Sequence, residues 1–235
     1  KFLLINFELD QIMIVNKNIA KKTAQLLLKI DAVSFRFNPP FTYTTGMKSP
    51  IYLDNRIVMS YPAVRRKIVE FYVQIIKDKI GLSNIDYISG TASAAIPQAS
   101  WVAGILDLPM VYIRPSTKSY GKGNKLEGYL KKSAKLVIIE DHVSTATSIV
   151  NNAETVRELG GKVSYAVATT TYDTKESDDL LKNNKITLFA LTDGKTIVEQ
   201  SYKNKVLNDK QKKSVDLWFK DPSSWASLAL SSWIS

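Results

Sequence analysis

From Asp86 onward, short apolar runs recur at "DYISG", "PMVYIR", "AKLVIIED", "KVSYAVATTTY" and "KITLFALTD", separated by helical segments or by one long glycine-containing loop. Such alternation predicts βαβ units and a mostly parallel sheet. Every position from Leu136 to Ile139 is apolar, so neither face of that strand can be left to water. Strands of this kind are covered by helices on both sides, which makes the fold class α/β.

The flanking sequence fits around such a sheet. "NKNIAKKTAQLLLKIDAV" places Ile19, Leu26, Leu27 and Ile30 near one face of an amphipathic helix, predicted to pack on the body as part of an N-terminal segment over 1–34. "FRFNPPFTYTTGMKSPIYLDNR" carries three prolines and a glycine, which forbids a long helix and predicts a loop with a short hairpin. That hairpin hood spans about 35–56. From Ser60, Val64, Ile68, Phe71, Ile75 and Ile76 recur at helical spacing until Gly81. A main domain is expected over 35–208, followed by a helix up to Lys220 and a tail within 209–235. A chain of 235 residues that is 45% hydrophobic and 23% charged suffices for one well-buried domain.

At the carboxyl end of the all-apolar strand, "KLVIIEDHVSTATSIV" turns acidic at Glu140 and Asp141, then becomes a string of small, mostly hydroxylated residues from Ser144 to Ser148. In open parallel sheets, ligands collect at the carboxyl edge where strand order reverses. A helix amino terminus there presents free N–H groups and partial positive charge, which suit a phosphate. Carboxylates repel a phosphate but accept hydrogen bonds from vicinal sugar hydroxyls or meet a magnesium ion. Phosphate beside sugar hydroxyls describes a ribose 5-phosphate. The same residues also allow a plainer reading, a helix capped by Ser144 or Thr145 beside a solvated acidic pair.

This stretch resembles the ribose-phosphate signature of the type I phosphoribosyltransferases. "FTYTTGMKSPIYLDNR" resembles the hairpin region of the orotate branch, "GTASAAIPQASWVAG" its strand-loop-helix facing pyrophosphate, and "YIRPSTKSYGKGNKLEG" its mobile catalytic loop, all in the family's order. The resemblance implies the family's fold, a central parallel sheet flanked by helices with a hairpin hood. It also implies transfer of ribose 5-phosphate from phosphoribosyl pyrophosphate (PRPP) to orotate, giving orotidine 5'-phosphate and pyrophosphate in pyrimidine biosynthesis, with Mg2+ bound alongside PRPP. Glu140 and Asp141 fall on the ribose hydroxyls, Ser144, Thr145, Ala146, Thr147 and Ser148 on the 5-phosphate, and Ser144 with Tyr52 on the base. Arg114 and Lys118 fall on pyrophosphate, and Tyr120 completes the catalytic loop. The family's loop reaches the partner subunit's site, which implies a homodimer with shared active sites.

The loop has a physical logic of its own. Arg114, Lys118 and Lys122 place cations on a segment that Gly121 and Gly123 allow to move, as a lid over a leaving pyrophosphate requires. Departures from the family pattern are specific. Pro115 and Ser116 stand where a second lysine is usual, Tyr120 where a histidine is, Ala146 where glycine is common, and Thr44 with Thr45 where some members carry a lysine.

Composition limits the remaining classes. The net charge of +10 comes mostly from dispersed lysines without an arginine cluster, which argues against a nucleic-acid surface. No run approaches the roughly eighteen uncharged apolar residues of a membrane span, and Glu8 and Asp10 interrupt the first apolar stretch, so a cytoplasmic location is expected. The absence of cysteine fits a reducing compartment. Two alternatives remain open, a phosphoribosyltransferase for another base and a non-catalytic regulator that senses the same phosphoribosyl ligand.

Overall fold

The computed structural model describes residues 11–43, 46–114 and 125–227. Its order is β1 (Ile12–Ile14), α1 (Lys17–Lys29), β2 (Val33–Phe35), β3 (Phe41–Thr42), β4 (Lys48–Ser49), β5 (Ile51–Leu53), α2 (Pro62–Ile75), β6 (Tyr87–Thr91), α3 (Ile96–Leu106), β7 (Met110–Ile113) and β8 (Leu126–Glu127). The second half follows as β9 (Lys135–Val143), α4 (Thr147–Glu158), β10 (Lys162–Thr171), α5 (Lys175–Asn183), β11 (Thr187–Asp193), α6 (Gly194–Lys203) and α7 (Asp209–Lys220).

Among the described residues one seven-stranded sheet forms, ordered β1-β11-β10-β9-β6-β7-β8 and parallel except for the β7–β8 pair. The all-apolar run behaves as its composition requires. Leu136 and Ile138 face one core, with Ile149, Ala153 and Val156 of α4, while Val137 and Ile139 face the other, beneath α1, α2 and α3. Successive strand side chains point to opposite faces, so a run apolar at every position fills both.

The chain steps outward from β6 to β7, then returns to place β9 on the other side of β6. Strand order therefore reverses between β6 and β9, where a crevice opens at the carboxyl edge. Asn152 of α4 ties the two walls together: its Nδ2 donates to the Gly90 carbonyl at 3.3 Å and to Thr91 Oγ1 at 3.1 Å, while Ser89 Oγ donates to its Oδ1 at 2.8 Å.

The segment with three prolines forms two nested antiparallel pairs, β2 with β5 and β3 with β4, as the hairpin reading expected. Helix α2 starts on Pro62, continues through one wide turn to Ile80, and ends at Gly81 with φ of +82°. The N-terminal segment differs from its reading as a helix alone. Ile12–Ile14 pairs with Leu188–Ala190 and becomes an edge strand, its start held by the Asp178 carboxylate, which accepts the N–H groups of Gln11 at 2.7 Å and Ile12 at 3.1 Å. Three residues are too few to display a strand period.

Candidate active site

Strand β9 does not end at the acidic pair. It continues to Val143 because β10 runs beside it, with Ala168 opposite Glu140 and Thr170 opposite His142. On the other side β6 pairs no further than Gly90 with Ile139, so the crevice begins at Glu140. Adjacent strand residues face opposite ways, and the carboxylates separate accordingly. Asp141 lines a cleft of about 620 Å3, whereas Glu140 lines a small pocket formed by the following turn.

The reading of a solvated acidic pair is therefore corrected, since Glu140 is only 5% exposed. Its Oε1 accepts the Asp141 N–H at 3.0 Å, and its buried Oε2 has no hydrogen-bond partner among the described residues. Burial, reinforced by the neighbouring Asp141 charge, pushes the Glu140 pKa well above its ordinary value, and burial raises that of Asp141 too. A carboxyl held as dry as that of Glu140, next in sequence to one facing the cleft, has use for a ligand that donates hydrogen bonds or carries a cation.

Two side chains hold the backbone of the pair. The Tyr72 hydroxyl donates to the Glu140 carbonyl at 2.6 Å, and Asn55 Nδ2 donates to the Asp141 carbonyl at 2.6 Å and to Thr170 Oγ1 at 2.7 Å. Sequence reading passed over both. Tyr72 sits at a core position of an apolar helix, and its one visible signal was a hydroxyl that must find a partner once fully buried. Asn55 lay inside the hood motif without a pattern to distinguish it.

After Val143 the chain turns through Ser144 and Thr145 into α4. Neither caps the helix as the plainer reading required. The N-cap position is Ala146, which has no side chain able to accept a hydrogen bond, so no side chain caps the first helical N–H groups, and the residues of this turn line a pocket of about 30 Å3. Glu140, Ser144, Thr145, Ala146, Thr147 and Ser148 all line it. One water needs roughly 10 to 15 Å3 by such a measure, so the pocket holds more than that.

Ala146 adopts φ of +64° and is buried. This left-handed conformation costs a non-glycine residue about 1 to 2 kcal/mol. Ala146→Gly is expected to raise stability by up to about 1 kcal/mol, because part of the relieved strain is offset by the lost methyl and by the more flexible unfolded chain. Chemical denaturation of both proteins checks this; a loss of stability would mean that the buried methyl outweighs the strain.

The large cleft lies between this edge and the hood. Tyr43 and Tyr52 come from the hood, Arg56 from the turn after it, Ala94 from the β6–α3 connection, Tyr172 from the end of β10, and Trp218 from α7. Arg56 pairs with Asp54 at 2.7 Å and holds that carboxyl below its ordinary value. His142 bonds through Nδ1 to Thr170 Oγ1 at 2.9 Å rather than to Glu140, and stands edge-on to Tyr172 with ring centres 4.4 Å apart. Burial lowers its pKa to about 4, so the imidazole is neutral at physiological pH.

The structure thus brings together Tyr52, Glu140, Asp141 and Ser144 to Ser148. Arg114 follows β7, ion-paired to Glu127 at 3.3 Å, and is not among the cleft-lining residues. Lys118, Tyr120, Lys122 and the Thr44–Thr45 pair lie outside the described residues. Tyr172 and Trp218 were not anticipated as cleft residues.

No family model matches the chain. It is 42% identical over 207 residues to an orotate phosphoribosyltransferase of Enterococcus faecalis, covering 88% of this chain and 98% of that one. To an orotate phosphoribosyltransferase of Coxiella burnetii it is 38% identical over 208 residues, covering 88% and 99%. Among solved structures, the UMP synthase of Leishmania donovani superposes with a TM-score of 0.74 at 26% identity, over 87% of this chain and 43% of that one. The orotate phosphoribosyltransferase of Aeropyrum pernix superposes with a TM-score of 0.67 at 25% identity, over 75% and 96%.

Proposed function

The chain belongs to the orotate phosphoribosyltransferase family, and from that premise we propose how its residues divide the work. The reaction transfers the ribose 5-phosphate of PRPP to orotate, yielding orotidine 5'-phosphate and pyrophosphate for pyrimidine biosynthesis. The observation that carries the assignment to this site is the acidic pair beside an uncapped helix terminus at the reversal of strand order.

Displacement at the anomeric carbon builds positive charge on the sugar and negative charge on the departing pyrophosphate. Positioning and matched charge therefore matter more than a protein nucleophile. Asp141 and Glu140 accept the ribose hydroxyls, and the N–H and hydroxyl groups from Ser144 to Ser148 receive the 5-phosphate. Ser144 and Tyr52 face the base. Arg114 and Lys118, with Tyr120 nearby in the loop, attend the pyrophosphate; their roles rest on the sequence.

The donor set fits magnesium that arrives with its ligand. Asp141 supplies anionic oxygens and Glu140 an unpartnered carboxyl oxygen that ionises when a cation meets it, and no group of three or more His, Cys, Asp or Glu side chains placed to hold a metal occurs among the described residues. Mg2+ is commonly held this way, by one or two carboxylates plus phosphate oxygens and water. When bound it neutralises diphosphate charge. The carboxylates' own part is to orient the ribose and oppose the growing positive charge on its ring.

A homodimer in which the loop carrying Arg114 and Lys118 completes the neighbouring site is part of this reading, as is a cytoplasmic location. No helix among the described residues is long and apolar enough to cross a membrane. Incubation with PRPP, Mg2+ and orotate should release pyrophosphate in step with orotate consumed. Pyrophosphate release without orotate consumption would contradict the reading.

A further inference from the structure

The hood is weakly built on its own. Among the described residues β3 and β4 share two residue pairs and join no other strand, and a two-stranded hairpin is marginal in water. Its position has to be fixed from outside.

Part of that fixing comes from Tyr43, whose hydroxyl donates to the Ile51 carbonyl at 2.9 Å and lies 2.8 Å from the Tyr172 hydroxyl. The rest comes from the far end of the chain. Trp218 Nε1 donates to the Lys48 carbonyl at 2.9 Å, across 170 positions of sequence. Its ring stands edge-on to Tyr172 at 5.2 Å and to Tyr43 at 6.3 Å, and it lines the cleft while only 2% exposed.

The helix carrying this tryptophan is itself firmly placed. A reciprocal cap between Asn208 and Gln211 starts α7, and the following tail folds back so that Trp225 Nε1 donates to the Ser214 carbonyl at 2.9 Å. Phe219 fills the space over Gly194, where a Cβ would come within 2.4 Å of its ring. A tryptophan so held can orient what it touches.

We propose that Trp218 is a positioning residue for the acceptor base: it latches the hood through the Lys48 carbonyl and backs the aromatic wall against which planar orotate is aligned. This deepens the functional reading above and rests on it. The ring and hydrogen-bond contacts of Trp218 go to the hood, to Tyr172 and to its neighbour Phe219, whereas the acidic pair is held by Tyr72 and Asn55. Loss of Trp218 should therefore separate the two substrates.

Trp218→Phe keeps an aromatic ring and loses the N–H donor; Trp218→Ala loses both. The expected result is a KM for orotate raised about tenfold in the phenylalanine variant, the scale of one lost hydrogen bond, and further in the alanine variant. PRPP affinity, measured by calorimetry without orotate, should stay within about twofold of the parent, and kcat of the phenylalanine variant at saturating orotate should stay close to it. A folded phenylalanine variant with an unchanged orotate KM would overturn the proposal, as would a parallel loss of PRPP affinity. A parent protein that binds PRPP but leaves orotate unconsumed would instead overturn the functional reading, and this inference with it.

Discussion

Asp141→Asn is expected to bind PRPP about ten- to a hundredfold more weakly, as the loss of one charge-assisted hydrogen bond worth about 1.5 to 3 kcal/mol predicts. The amide keeps the size of the side chain and one acceptor oxygen but loses the charge that a sugar hydroxyl meets. Fold integrity should be little affected, because the backbone at Asp141 is held through its carbonyl by Asn55. Calorimetric titration decides; unchanged affinity in a folded variant would remove Asp141 from the ribose site. Glu140→Gln should lose affinity as well while gaining stability. The parent buries a carboxyl whose folded pKa lies above the unfolded value near 4.5, so its unfolded state ionises first and stability falls as pH rises from there towards the raised folded pKa. The glutamine lacks that decline, so the difference in Tm between variant and parent should widen with pH across this interval. A constant difference would mean that Glu140 is not held protonated by its surroundings.

Lys118→Ala is expected to lower kcat by about a hundredfold or more, with PRPP affinity reduced far less, because a cation aimed at the leaving group matters most once charge has developed there. Equal losses in binding and turnover would place the lysine on the ground-state diphosphate instead. If the loop acts across a dimer, mixing Lys118→Ala with Asp141→Asn should restore part of the activity. Hybrid dimers then contain one site with both native groups. No recovery after demonstrated subunit exchange would confine the loop to its own subunit.

The parts of this molecule legible in its sequence are those governed by local period and local chemistry. Leu136 to Ile139 announced a strand covered on both faces, and two acidic residues followed by small hydroxylated ones marked the turn that lines the crevice, where the phosphosugar is proposed to bind. What stayed hidden depends on partners distant in the chain. β9 outlasts its apolar run because β10 pairs with it as far as Val143, and this turns Glu140 from a strand-tip side chain into a buried one. The strand Ile12–Ile14 exists because β11 offers an open edge. Ala146 shows the opposite case. Its departure from glycine was visible in sequence, but its left-handed backbone, which gives the departure an energetic cost, was not. Trp218 reaches the cleft because α7 returns to Lys48 of the hood, and no spacing in "SVDLWFKDPSSW" encodes that return.

A competition among acceptors tests the central claim most directly. The protein is given PRPP and Mg2+ with equimolar orotate, uracil and hypoxanthine, and the nucleotides formed are separated and identified. Orotidine 5'-phosphate should account for essentially all product, with pyrophosphate in equal amount; a dominant uracil or hypoxanthine nucleotide, or no nucleotide at all, would contradict the account.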